Sequence, residues 1–330
     1  MPESSASLLH RSSFVFDAHC DTLGAATLPL HRRRDLTQWG DSGHLDLPRM
    51  QAGGINAQIF ACFPGGERLN ACPTRGSMLR IEALYALIRQ QPDSLTLVKT
   101  AEEMARLTPD GPVGAILGLE GVEALAGDLS LLYAFHRLGV RNIGLTWCHR
   151  NAAADGVSTH SDYGLTAFGR ELVQHCNELG IMLDASHLNR AGLDELLALS
   201  DKPIIASHSN ARALFEHRRN LDDAQLRAIA QNGGVIGVTF VTYFLREPQE
   251  KATLEDVLNH IEHVATVAGV EHVGLGSDYD GATMPPELDS GEKYPALTAG
   301  LLRRGFSEAD TRKILGENLR RVFMDVLPPA

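Results

Sequence analysis

The residues in this chain best able to do chemistry are three histidines and a group of carboxylates. His19 stands two residues before Asp21, Glu120 closes an apolar run, Asp184 and His187 close another, His208 closes a third, and Asp278 and Asp280 follow a fourth. Singly, each has an ordinary reading as a helix cap or a satisfied core residue. Together they form a nitrogen and oxygen donor set suited to zinc, manganese or iron, with no CxxC pair among Cys20, Cys62, Cys72, Cys148 and Cys176 to add thiolates. A cluster of this size can hold two divalent ions, and two ions need an anion between them. Some barrel hydrolases use a modified lysine for this, but none of Lys99, Lys202, Lys251, Lys293 or Lys313 ends an apolar run. Glu120 is therefore the expected bridge. Other catalytic signals are missing: the sequence has no G-x-S-x-G elbow, no phosphate-binding P-loop and no G-x-G-x-x-G opening a helix. Gly274-Leu275-Gly276 lacks the third glycine and reads as close packing.

These residues need elements to bring them together. Eight short apolar runs recur: FVFDAHC (14–20), INAQIFACF (55–63), VGAILGLEG (113–121), VRNIGLTW (140–147), IMLDASH (181–187), PIIASHS (203–209), GVIGVTF (234–240) and HVGLGSD (272–278). Between them, stretches 77–91, 128–138, 165–179, 222–231 and 254–267 carry apolar residues at helical spacing. Strands alternating with helices imply a parallel sheet with right-handed crossovers. The count of eight favours an α/β fold of the closed, TIM-like (β/α)8 type, with a doubly wound sheet as runner-up. Buried parallel strands are apolar throughout, so polar groups at their C-terminal ends need a reason, and in barrels that end carries the active site. His19 and Asp21, two apart, share a face if the strand continues. With no repeat, low-complexity tract or linker, residues 1–330 read as one barrel domain. Stretches 27–50, with Arg32, Arg33 and Arg34, and 64–75 read as elaborations of the first two βα loops.

Composition narrows the partners. The chain has 330 residues, 44% hydrophobic and 22% charged, with a formal net charge of −11 that opposes sequence-independent binding to nucleic acid or anionic membranes. No secretory leader, lipid-anchor tail or spanning segment is legible, so the expectation is a soluble, cytoplasmic protein acting on a small molecule. A homo-oligomer is left open.

Beyond these readings, the motifs resemble those of the membrane dipeptidase (renal dipeptidase) family of zinc peptidases, within the amidohydrolase-like barrels. The matching pieces are DAHCDT (17–22), GLEG (118–121), LDASHLN (183–189), SHSNAR (207–212), HRRN (217–220), NGGVIGV (232–238), GVEHVGLGSDYDG (269–281) and a closing ILGENLRRVF (314–323). The resemblance implies two zinc ions, one held by His19 and Asp21, the other by His187 and His208, with Glu120 between them. It implies Asp278 as acid and base and Arg219 as the anchor for the substrate's C-terminal carboxylate, a role that suits a guanidinium fork. Where the family often has a histidine in an LTH context, this chain has Leu145-Thr146-Trp147, and His149 is the candidate replacement. Loop residues including Arg32, Arg33, Arg34, Arg68 and Tyr243 are candidates for reading substrate side chains.

The implied reaction is hydrolysis of free dipeptides by a metal-bridging hydroxide, including dipeptides with a D-residue at the C-terminal side. The alternative is a non-peptide amidohydrolase acting on a lactam, cyclic amide or N-acyl amino acid with the same centre. A metal-stabilised barrel without catalysis ranks below both, because none of the six metal-centre residues is missing.

Overall fold

The computed structural model describes residues 4–29, 32–64, 72–161 and 163–329. Nine parallel strands form its sheet: β1 (Val15–Cys20), β2 (Ile55–Ala61), β3 (Leu95–Leu97), β4 (Val113–Glu120), β5 (Val140–Gly144), β6 (Met182–Asp184), β7 (Ile205–Ala206), β8 (Val235–Val238) and β9 (Val273–Leu275). Eight of them close a ring in the order β1, β2, β4, β5, β6, β7, β8, β9, with β9 returning to β1 through the pair Asp17 and Leu275. The eight apolar runs supply these eight strands, as the alternation implies. The ninth, β3, lines up with only the first three residues of β4, from Val113 to Ala115, while β5 takes over further along at Leu117.

Every barrel strand is buried along its length. Phe16, Ala18, Ala57, Ile59, Ile116, Met182, Ile205 and Val235, one or two from each of six strands, cluster with Leu319, Val322 and Phe323 of the helix Asn318–Val326. Residues two apart on a strand share a face, so this cluster is the barrel's filling, plugged at the N-terminal ends of the strands. The opposite end is left free for a site.

The helices between strands form where caps and periodicity coincide. Ala167–Leu179 starts at Thr166, whose side chain accepts from the Gly169 N–H, and stops at Gly180, in the left-handed conformation that glycine favours. Asp222 and Gln225 cap Asp223–Gln231 reciprocally. No helix among the described residues is long and apolar enough to cross a membrane.

The first βα connection is long, as stretch 27–50 suggests, and it is tied down at one carboxylate. Asp280, after β9, pairs with Arg34 at 2.9 Å and accepts from the Thr22 hydroxyl at 2.7 Å and the His44 N–H at 2.8 Å. In stretch 64–75, residues 65–71 lie outside the described residues, and Arg68 with them.

Candidate metal centre and active site

The strand ends deliver His19, Asp21, Glu120, His187, His208 and Asp278 to one point. Glu120 stands at its middle and divides its two oxygens. Oε2 lies 3.6 Å from His19 Nε2, while Oε1 lies 3.1 Å from His187 Nε2 and 4.0 Å from His208 Nε2. His19 Nε2 is also 3.7 Å from Asp21 and 3.9 Å from Asp278. The Nε2 atoms of His187 and His208 approach to 2.9 Å. His19, Glu120 and His208 form one group whose donor atoms all lie within 4.8 Å of one another, and His19, Asp21 and Asp278 form a second.

Whether cations fit here is a question of chemistry. His19 Nε2 and Glu120 Oε2 are buried without a hydrogen-bond partner among the described residues, which is costly for a polar atom unless something else satisfies it. Burial, with the positive charges of Arg219 and His19, holds His187 and His208 well below the usual histidine pKa, in the neutral form that can donate a lone pair. Burial works against a charged His19 too, but Glu120, then Asp21 and Asp278, outweigh it and lift it to about 10. The carboxylates thus draw positive charge to this point. Burial and the Asp21 charge push Glu120 well above its ordinary value and Asp278 to about 7, a crowding that divalent cations relieve. The donor set fits divalent metal.

A second layer holds the ligands still. The Ser207 hydroxyl donates to Asp184 and lies 2.7 Å from His208 Nδ1, and Asp184 also accepts from the Ser186 and Ser207 N–H groups, each at 2.9 Å. Under His19, the fully buried Asp17 accepts from the Ser277 N–H at 2.8 Å, the Ser277 hydroxyl at 2.6 Å and the His19 N–H at 3.3 Å. Cys148 Sγ sits 3.3 Å from His187 Nδ1. Such outer contacts fix the ring orientation of metal-binding histidines. His187 and Asp278 have φ of 72° and 65°, left-handed backbone that side chains other than glycine seldom adopt and that functional sites often store.

Above the cluster opens a cavity of about 750 Å³ lined by Asp21, Glu120, His187, Asp278, Arg80, Arg219, Trp147 and Tyr243, among others. Arg219 is buried; its Nη2 donates to the His208 carbonyl at 2.9 Å, and the guanidinium lies 5.4 Å from the Phe244 ring centre. Its Nε has no hydrogen-bond partner among the described residues. Tyr243 is on the wall, as the loop reading suggests. Trp147 lines the cavity too, with its ring 5.3 Å from Phe63 and 6.1 Å from His187. His149 is exposed and stands off the cavity wall, with its ring edge-on to Trp147 at 5.9 Å. Asp184, counted with the strand-end carboxylates, turns away from the cavity to serve Ser207. Arg80 was reached by no sequence signal, since an arginine on a helix reads as surface charge.

Comparisons with known proteins place the chain among metallo peptidases. Residues 3–327 match the family described as Membrane dipeptidase (Peptidase family M19). Dipeptidase tcpJ of Claviceps purpurea is 33% identical over 298 residues, 86% of this chain and 70% of that protein. The crystal structure of dipeptidase AC, a metallo peptidase of family M19, superposes with a TM-score of 0.88 at 35% identity, covering 96% of this chain and 99% of that one. A metallo peptidase from Rhodobacter sphaeroides, liganded with a phosphinate mimic of the dipeptide L-Ala-D-Ala, gives 0.88 at 34% identity with the same coverage. With this match across nearly all its length and a donor cluster at the mouth of its barrel, the chain belongs to the membrane dipeptidase family, peptidase family M19, as a metal-dependent peptidase.

Proposed function

We propose that this protein hydrolyses the peptide bond of free dipeptides at a pair of zinc ions, with a D-residue accepted at the C-terminal side. The observation that carries the reading is the division of Glu120, one oxygen toward His19 and the other toward His187 and His208, with Arg219 buried beside the same cavity. His19 and Asp21 would hold one ion and His187 and His208 the other. When bound, such ions lower the pKa of water toward neutrality and offset charge developing on the carbonyl oxygen.

The chain's own residues do the rest. Asp278, at the edge of the cluster, takes the proton of the attacking water and returns it to the departing amine. Arg219 presents a guanidinium to the C-terminal carboxylate, which limits substrates to very short peptides because a longer chain would carry its carboxylate past the anchor. Trp147 and Phe63 form an aromatic part of the cavity wall. The ligand of the Rhodobacter sphaeroides relative, a mimic of L-Ala-D-Ala, supports the D-residue.

The test combines metal analysis with a dipeptide panel. Purified protein is expected to carry up to two divalent ions per chain, to lose activity to a chelator and to regain it with Zn2+, and to cleave dipeptides of both C-terminal chiralities. Chelator-indifferent protein, or zinc-loaded protein that opens lactams or removes N-acyl groups but leaves dipeptides intact, refutes the proposal.

A further inference from the structure

The metal cluster and the carboxylate anchor leave one cavity arginine without a task. Arg80 lies on the helix Pro73–Gln90, which follows β2, and it reaches the cavity wall next to Gly24. Its hydrogen bond runs from Nη1 to the Gly76 carbonyl of its own helix at 3.1 Å, and it has no ion pair among the described residues. The other arginines of the cavity differ. Arg34 is paired with Asp280, Arg219 is fixed on the His208 carbonyl, and Arg218 is its exposed neighbour. Arg80 is half-buried, and the carboxylates it faces are Asp21 and Glu120.

Its place in the ring gives this charge a direction. Arg219 follows β7 and Arg80 follows β2, which stand four places apart in a ring of eight, on opposite sides of the mouth. A dipeptide held by its C-terminal carboxylate at Arg219 would cross the histidine and carboxylate cluster and turn its N-terminal residue toward β2. Charge balance agrees. Asp21, Glu120 and Asp278 would be taken up, with a hydroxide, in offsetting two divalent cations, and Asp280 is spent on Arg34, so a substrate whose single carboxylate goes to Arg219 leaves Arg80 uncompensated. A second carboxylate, on the side chain of the N-terminal residue, compensates it with the two parallel hydrogen bonds a guanidinium can make.

We propose that Arg80 is a specificity-determining residue that selects dipeptides with an aspartyl or glutamyl residue at the N-terminal position. This rests on the dipeptide reading above. On zinc-loaded enzyme, kcat/KM for Glu-Ala is expected to exceed that for the neutral isostere Gln-Ala by about tenfold, the range expected when a half-buried guanidinium gains a charged, hydrogen-bonding partner. Arg80→Gln brings the ratio close to one, and Arg80→Glu turns the preference toward Lys-Ala. Binding gives a readout apart from turnover: in zinc-loaded Asp278→Asn, calorimetry should show Glu-Ala binding more tightly than Gln-Ala, and adding Arg80→Gln should erase the difference. A ratio near one in the unaltered enzyme, or a ratio that survives Arg80→Gln, overturns the assignment. Cleavage of Glu-Ala and Gln-Ala alike defeats Arg80 alone, whereas loaded enzyme that cleaves no dipeptide defeats the dipeptide reading and this inference with it.

Discussion

In the proposed reaction, Asp278 is the residue on which the chemistry would turn. Burial, reinforced by the Asp21 charge, raises its carboxyl to about 7, close to where a group that both takes and gives a proton works best. Asp278→Asn keeps the shape and removes the proton transfer. The expected result is a fall in kcat of about 10²- to 10⁴-fold with metal content retained. Turnover near that of the unaltered enzyme would end the acid and base role, and loss of one ion would recast Asp278 as a ligand, since it shares a donor group with His19 and Asp21. The clustered donor residues were legible in the sequence because so many histidines and carboxylates at the ends of apolar runs, each explicable singly as a cap or core residue, would meet at one mouth of a closed barrel, although Asp184 at such an end bonds Ser207 instead. Asp17 was not, because a carboxylate inside such a run gives no sign that Ser277, 260 residues away, will satisfy it. His149 shows the limit of counting by twos. Its alternation with Trp147 needs an extended chain, but β5 stops at Gly144, so Trp147 faces the cavity and His149 faces solvent.

At the scale of elements, the site depends on how closely the loop after β9 approaches the end of β1. Gly281 is the point of contact: a Cβ there would sit 2.2 Å from Asp21 Oδ2 and 2.4 Å from Asp278 Oδ1. Gly281→Ala must push both carboxylates aside, because no atom pair tolerates such distances. Divalent-metal affinity, measured with Zn2+ by competition with a chromogenic chelator, is expected to fall about tenfold or more, as it does when the surroundings of ligands are disturbed. Unaltered affinity would show that the loop yields freely and that the geometry of Asp21 and Asp278 is not set by this contact. The eight barrel strands could be read from the sequence because each is an apolar run followed by a polar end. The ninth, Leu95–Leu97, could not: it has three residues, only Leu95 of them fully buried, too few to show any period. The helix Arg190–Leu199 follows the His187 turn so closely that the polar strand end and the Asn189 cap merge into one segment.

For the whole molecule, the plugged end of the barrel and the helices around it carry stability, and acid should act there as well as at the metal centre. His260, on the helix Leu254–Ala268, is buried and accepts a hydrogen bond from the Ala211 N–H at 3.1 Å, joining that helix to the loop after β7. Burial lowers its pKa from 6.5 to about 4. The unfolded chain therefore binds a proton at this residue between those values while the folded chain does not, so its contribution is complete above pH 6.5 and is lost as pH falls toward 4. Between pH 7.5 and pH 5 this amounts to about 2 kcal/mol, at 1.36 kcal/mol for each unit of pKa difference. Glu120 and Asp278, raised by burial, act in the opposite sense, since protonation favours their folded state. The comparison that isolates His260 is thus the stability gap between the unaltered protein and His260→Gln, from urea midpoints at several pH values. Glutamine keeps a hydrogen-bonding group but does not titrate, so the gap should narrow by about 2 kcal/mol on going from pH 7.5 to pH 5. A gap of constant size would mean that His260 titrates in the fold as it does in the unfolded chain, and that its ring is not held neutral by burial and the contact with Ala211.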